Sequence, residues 1–136
     1  MTSDEAIARA REVLAERAGV ATATPVARLD GHPSYWLVTI DDVEGTLAVA
    51  AIGENGELIG AGRPSRPGRH LIIDVALARE IAGVPPAAAS RLVWFASRAS
   101  ASPLFPLWEV TRAGGPVWVA MDGTLFTARP GDAGPG

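Results

Sequence analysis

The sequence predicts an α+β fold made of two units in pseudo-duplicated order, each placing one helix ahead of a set of antiparallel strands. Three observations carry this. Two stretches space apolar residues three or four apart, as a helix does, and each runs into an Ala-Gly-Val triplet. Most of the rest is short apolar runs broken by Gly, Asn and Asp turns. Short motifs of the first half also recur, in order, in the second.

Residues 3–18 read as the first helix, with Ile7, Ala10 and Leu14 along one stripe and Ala6 and Val13 beside it. Thr2 or Ser3 can cap it, Asp4 and Glu5 occupy the first turn where the helix dipole favours acids, and Gly19 is placed to end it. A short strand at 26–29 and a turn at 30–34 follow. Residues 35–41 alternate, with Trp36, Val38 and Ile40 on one face and Tyr35, Leu37 and Thr39 on the other. Both faces are apolar, which places this strand in the middle of a sheet. A turn at 42–45 leads to a strand at 46–52. Asn55-Gly56 tolerates the positive φ of a hairpin turn, so 58–61 pairs back.

Residues 62–69, Gly-Arg-Pro-Ser-Arg-Pro-Gly-Arg, form the internal linker. The first unit is thus 1–61 and the second 70–128, with a flexible tail at 129–136. In the second unit, 70–82 reads as a helix with Ile73, Leu77 and Ile81 at spacing four. It ends at Gly83, and Pro85-Pro86 bars its continuation. Strands are expected at 91–98, 107–112, 116–121 and 124–128, with a loop at 99–106.

The repeat reaches individual residues. Ala18-Gly19-Val20 recurs 64 residues on as Ala82-Gly83-Val84, and Trp36-Leu37-Val38-Thr39 recurs 72 on as Trp108-Glu109-Val110-Thr111. Leu47-Ala48-Val49-Ala50 matches Val117-Trp118-Val119-Ala120, and Gly56-Glu57-Leu58 matches Gly123-Thr124-Leu125. The offset changes only at predicted loops. The second half, from ALAREIAGV to LWEVTRAGGPVWVAMDGTLF, resembles a PepSY module: a helix closing on A-G-V, a W-E-V strand, a V-x-V strand and a turn before a last short strand. The first half resembles the same pattern more loosely, and both resemble bacterial immunity-protein domains of the half-cystatin type. Asp122-Gly123 is shorter than the usual PepSY turn, and no signal peptide of the kind that usually precedes such domains is seen. The resemblance implies a helix on a curved antiparallel sheet, with roles in peptidase inhibition or regulation of protein partners. It brings no catalytic residues.

Composition narrows the chemistry. The 136 residues include no cysteine and no lysine, so disulfides, cysteine nucleophiles, Schiff-base lysines and the Walker phosphate loop are excluded. A net charge of −3 argues against general nucleic-acid affinity. The acidic start and the short apolar runs give neither a signal peptide nor a membrane span, which predicts a cytoplasmic protein. The Ala/Arg/Gly/Pro bias is that of a high-GC bacterial coding sequence.

Few residues offer chemistry. His32 with Asp30 has the makings of a base and its orienter, but ordinary turn composition accounts for both. Arg63, Arg66, Arg69 and His70 cluster in and beside the linker, where they can meet a phosphate, a carboxylate or an acidic protein surface. As plain chemistry they also simply keep the linker solvated. Leu104 and Phe105 sit between prolines in the 99–106 loop as an apolar tip. Trp36 and Trp108 are expected in the core. Trp118 points away from Val117 and Val119 and is the aromatic expected at the surface. The predicted function is a non-enzymatic protein-binding module, inhibitor-like, immunity-like or regulatory, with no cofactor or metal. Its partner-binding residues are Arg63, Arg66, Arg69, His70, Leu104, Phe105 and Trp118, and its sheet edges offer a route to a homodimer. The alternatives are a small-molecule binder or small enzyme on a cystatin-like cone, and a homo-oligomeric structural subunit.

Overall fold

A computed structural model of the chain describes residues 1–64 and 68–131. Helix α1 (Ser3–Leu14) begins on a capping box: the Thr2 hydroxyl accepts from the Glu5 N–H, and the Glu5 carboxylate accepts from the Thr2 N–H. These bonds hold the Glu5 carboxyl below its ordinary value. The helix stops four residues short of the predicted end. Ala15, not Gly19, takes the left-handed conformation (φ 52°), and its N–H reaches the Arg11 and Glu12 carbonyls. The Arg11 guanidinium then donates to the carbonyls of Glu16, Ala18 and Gly19, which satisfies the chain beyond the helix.

Residues 15–19 turn the chain, and strand β1 (Val20–Arg28) follows, nine residues where four were expected. Its sequence, VATATPVAR, alternates small side chains that carry little periodic signal, and Pro25 argues against a paired strand. Pro25 is accommodated because pairing on the far side of β1 begins only at Val26. Strands β2 (Tyr35–Asp42), β3 (Gly45–Gly53) and β4 (Leu58–Gly62) follow within a residue or two of expectation.

Helix α2 (Val75–Ala82) starts five residues later than predicted, because Asp74 caps it by accepting from the Leu77 N–H at 2.8 Å. The preceding residues are tied to the sheet instead: the His70 N–H donates to Thr46 Oγ1, and the Thr46 N–H donates to the Gly68 carbonyl. Ala78 and Ala82 form the buried face of α2, whereas Leu77 is exposed and Ile73 is buried ahead of the helix. Alanines lie against the sheet because they let the helix axis approach it. Gly83 ends α2 in the left-handed conformation, as predicted. Strands β5 (Ser90–Trp94), β6 (Leu107–Arg112), β7 (Gly115–Val119) and β8 (Leu125–Phe126) complete the chain; all but β6 are shorter than predicted.

All eight strands form one mixed sheet in the order β4-β3-β2-β1-β5-β6-β7-β8. Every pairing is antiparallel except the central one, where β1 and β5 run parallel over Val26↔Leu92, Ala27↔Val93 and Arg28↔Trp94. The two halves therefore share one sheet and meet at a three-residue seam. Helix α1 covers one face with Val38, Ala50 and Ile52 beneath it. Helix α2 covers the opposite face, over Leu92, Trp108, Val110, Val117 and Val119. A half-turn about an axis along the strands preserves strand direction and exchanges the faces. A parallel seam and helices on opposite faces are thus two aspects of one geometry.

Trp108 is buried toward α2 and donates to the Ile73 carbonyl at 2.8 Å; Trp36 packs half-buried on the α1 side. The expected exposure of Trp118 is corrected by the structure. It is only 8% exposed, packed with Val93, Phe95 and Leu107, and its Nε1 donates to Glu109. Trp118 does point away from Val117 and Val119, but the face it points to is covered. Phe126 packs there, the Arg129 guanidinium lies 4.4 Å over the Phe95 ring, and Gly131 accepts from the Arg98 N–H. Residues 129–131, expected as flexible tail, thus help close this face.

Candidate functional site

The basic segment and the apolar loop, separate candidates in the sequence, line one cleft of about 340 Å³ below the end of β4. Arg63, Arg69 and His70 from the basic segment and Leu104 and Phe105 from the loop line it together with Val49 and Gly62. Arg66 lies outside the described residues. Trp118 is not among the lining residues.

Leu104 lies over the end of β4: a Cβ added at Gly60 or Gly62 would meet it at 3.6 and 3.7 Å, ordinary contact distance. The loop is held from within and from the sheet. Ser97 and Ser100 are buried and hydrogen-bonded, and Ser100 Oγ donates to the Ser102 carbonyl. The Tyr35 hydroxyl, rising from β2, donates to the Pro103 carbonyl at 2.6 Å. Burial pushes the Tyr35 phenol well above its ordinary value. The His70 ring ties the basic segment to the loop: Nε2 bonds the Leu104 carbonyl, and the ring lies 4.8 Å from that of Phe105. Because a carbonyl can only accept, Nε2 carries the hydrogen.

The arginines are less available than the sequence implies. Arg63 pairs with Glu16 at 2.8 Å and donates to the Leu14 carbonyl, which caps the end of α1. The Arg63 hydrogen bond holds the Glu16 carboxyl below its ordinary value. Arg69 pairs with Asp41 at 3.1 Å, and Asp41 also accepts from Thr46. Both guanidiniums remain more than half exposed. The cleft therefore has an apolar interior and a charged rim whose cations are already balanced by carboxylates.

The same loop bounds a second hollow of about 330 Å³, lined by Ala99, Pro106, Leu107, Ala120, Met121 and Asp122 together with Ile72 and Phe105. The Thr124 N–H and hydroxyl hold the Asp122 carboxyl below its ordinary value, so it is ionised at neutral pH. Ile72, inside the helix expected from residue 70, instead stands exposed ahead of α2. The cap signal of Asp74, followed by the helical run from Val75, would have freed it.

His32 stays apart from all of this. The Asp30 carboxylate accepts from the Arg28 guanidinium and from the His32 backbone N–H, and Arg28 holds it below its ordinary value. Among the described residues, no group of three or more histidines and carboxylates stands close enough to hold a metal ion. No described helix is long and apolar enough to cross a membrane. Among the described residues lining the cleft, none is a carboxylate beside His70. The arrangement offers an apolar slot with polar edges, suited to holding a side chain. No family model, curated protein or solved structure matches this chain.

Proposed function

We propose that this protein is a non-catalytic protein-binding module of inhibitor-like, immunity-like or regulatory type, acting in the cytoplasm. Its partner docks an apolar side chain into the cleft, with an acidic neighbour at the arginine rim. The observation that carries this reading is the convergence of Arg63, Arg69, His70, Leu104 and Phe105 on one open apolar slot. The His70 imidazole is spent on holding the slot together, which leaves it poorly placed as a base. The pseudo-duplicated, PepSY-like reading belongs to the same proposal. It is supported by the order of one helix and four strands occurring twice, and by the repeat motif on β2 and β6, whose Trp36 and Trp108 each face the helix of their own half. The β3 and β7 motifs lie three residues out of register, because Trp36 pairs with Ile52 and Trp108 with Val119.

Selection of displayed random peptides against the wild type, with Phe105→Ala as the counter-target, tests the reading. The expected winners share an apolar residue next to Asp or Glu and lose binding at least tenfold to Phe105→Ala. Winners without that pattern, or winners that bind the variant equally well, refute it.

A further inference from the structure

Ile72 and Phe105 line both hollows, so the cleft and the second hollow are neighbours that share a wall. Both side chains are unusually open for their type, 69% and 48% exposed. The second hollow differs from the cleft in its charge. Ala99, Pro106, Leu107, Ala120 and Met121 give it an apolar lining, and Asp122 is its one charged lining residue.

That charge is uncompensated. In the cleft, Arg63 and Arg69 are balanced by Glu16 and Asp41, whereas among the described residues no arginine or histidine pairs with Asp122. The Thr124 N–H donates to Asp122 Oδ1 at 2.9 Å, which fixes the carboxylate without neutralising it. A carboxylate offers about four acceptor positions, so capacity remains for a donor from outside. A lysine or arginine side chain answers both properties of the hollow. Its methylene stem packs on apolar surface while its charged head stays at the wet end, beside a carboxylate. A purely apolar side chain would leave Asp122 unmatched, and an acidic one would meet like charge.

We propose that the second hollow is a subsite for a lysine or arginine side chain of the protein partner, carried on the same segment whose apolar residue fills the cleft. That segment then bears an apolar residue with an acid toward the arginine rim and a base toward Asp122. The placement on one segment rests on the docking reading above; the preference of the hollow for a cation does not.

Titration of the isotope-labelled full chain with n-pentylammonium, which reproduces the stem and head of lysine, tests the hollow itself by NMR. The amide signals of Ala99 and of residues 120–124 should shift first. The uncharged n-pentanol should bind about threefold more weakly, and Asp122→Asn, which keeps an acceptor for the Thr124 N–H, should weaken n-pentylammonium by about the same factor, as loss of an exposed charge contact would. Shifts centred elsewhere, equal binding of n-pentanol, or an Asp122→Asn variant that binds as the wild type does overturns the subsite. The displayed-peptide selection tests the link to the cleft. Its winners should carry Lys or Arg as well as the apolar–acidic pair, and should lose binding about threefold to Asp122→Asn and about tenfold to Asp122→Arg. Winners that depend on Phe105 yet carry no base, or that ignore both Asp122 variants, overturn the link and leave the docking reading standing. A selection that fails alongside an Asp122-dependent response to n-pentylammonium removes the docking reading instead and leaves the cation subsite standing.

Discussion

Tyr35→Phe isolates the bond that holds the cleft loop to the sheet. The ring is 1% exposed and stays in place in the variant; only the hydroxyl and its bond to the Pro103 carbonyl are lost. An unmatched, partly buried carbonyl costs about 1–1.5 kcal/mol at neutral pH. For 136 residues the unfolding entropy is about 0.29 kcal/mol per kelvin, so Tm should fall by about 3–5 °C. The alkaline limb adds a sharper signature. The chain has one tyrosine and neither lysine nor cysteine, so Tyr35 is the one side chain expected to titrate between pH about 9 and 12. Burial raises its pKa in the folded state above the ordinary value of 10.0. The neutral phenol is therefore favoured by folding. That stability is whole below pH about 10 and is lost as pH rises, because the unfolded chain ionises first. By pH 11 the wild type should have lost about 1.4 kcal/mol that Tyr35→Phe does not lose, and the two stability curves should meet near that pH. Urea denaturation at several pH values reads both proteins, and tyrosinate absorbance reads the folded pKa directly. Parallel pH profiles, or equal stability at pH 7, would refute the assignment.

Other changes probe the surrounding frame. Gly45→Ala places a Cβ against the Gly68 backbone at φ +142°; it should cost at least about 2 kcal/mol in urea melts and release the segment carrying Arg69 and His70. Ala10→Leu forces a larger side chain between α1 and the fully buried Val38, Ala50 and Ile52, and should lower stability by about 1–3 kcal/mol. Arg63→Ala should return the Glu16 carboxyl toward its ordinary value in an NMR titration, with α1 fraying at Leu14 by hydrogen exchange. An unchanged Glu16 titration would mean that the pair does not persist in solution.

What could be read from the sequence was local. The Thr2 cap, the Gly83 stop, the Asn55-Gly56 turn and the two apolar faces of β2 each depend on residues a few positions apart, so side-chain chemistry and steric limits suffice to place them. The misplacements arose where a distant partner overrode such signals. Helix α1 ends early and passes its chain to a small-residue strand that β2 stabilises along its length. Residues 70–74 leave the predicted helix because Thr46 takes the His70 N–H and Asp74 caps the helix later. Trp118 was placed on the correct side of its strand, yet periodicity carries no information on what covers that side.

The sequence by itself determined the α+β class and most of the elements. Only the tertiary structure decided that the halves join in one sheet through the parallel β1–β5 seam, and that Arg63 and Arg69 spend their charge on Glu16 and Asp41. It also decided that a basic segment and an apolar loop more than thirty residues apart share one cleft, joined by the contact of His70 with Leu104. The physical reason is range. Backbone preferences and turn chemistry act within a few residues, whereas the choice of which surfaces meet depends on how all the apolar faces of the folded chain can be covered together.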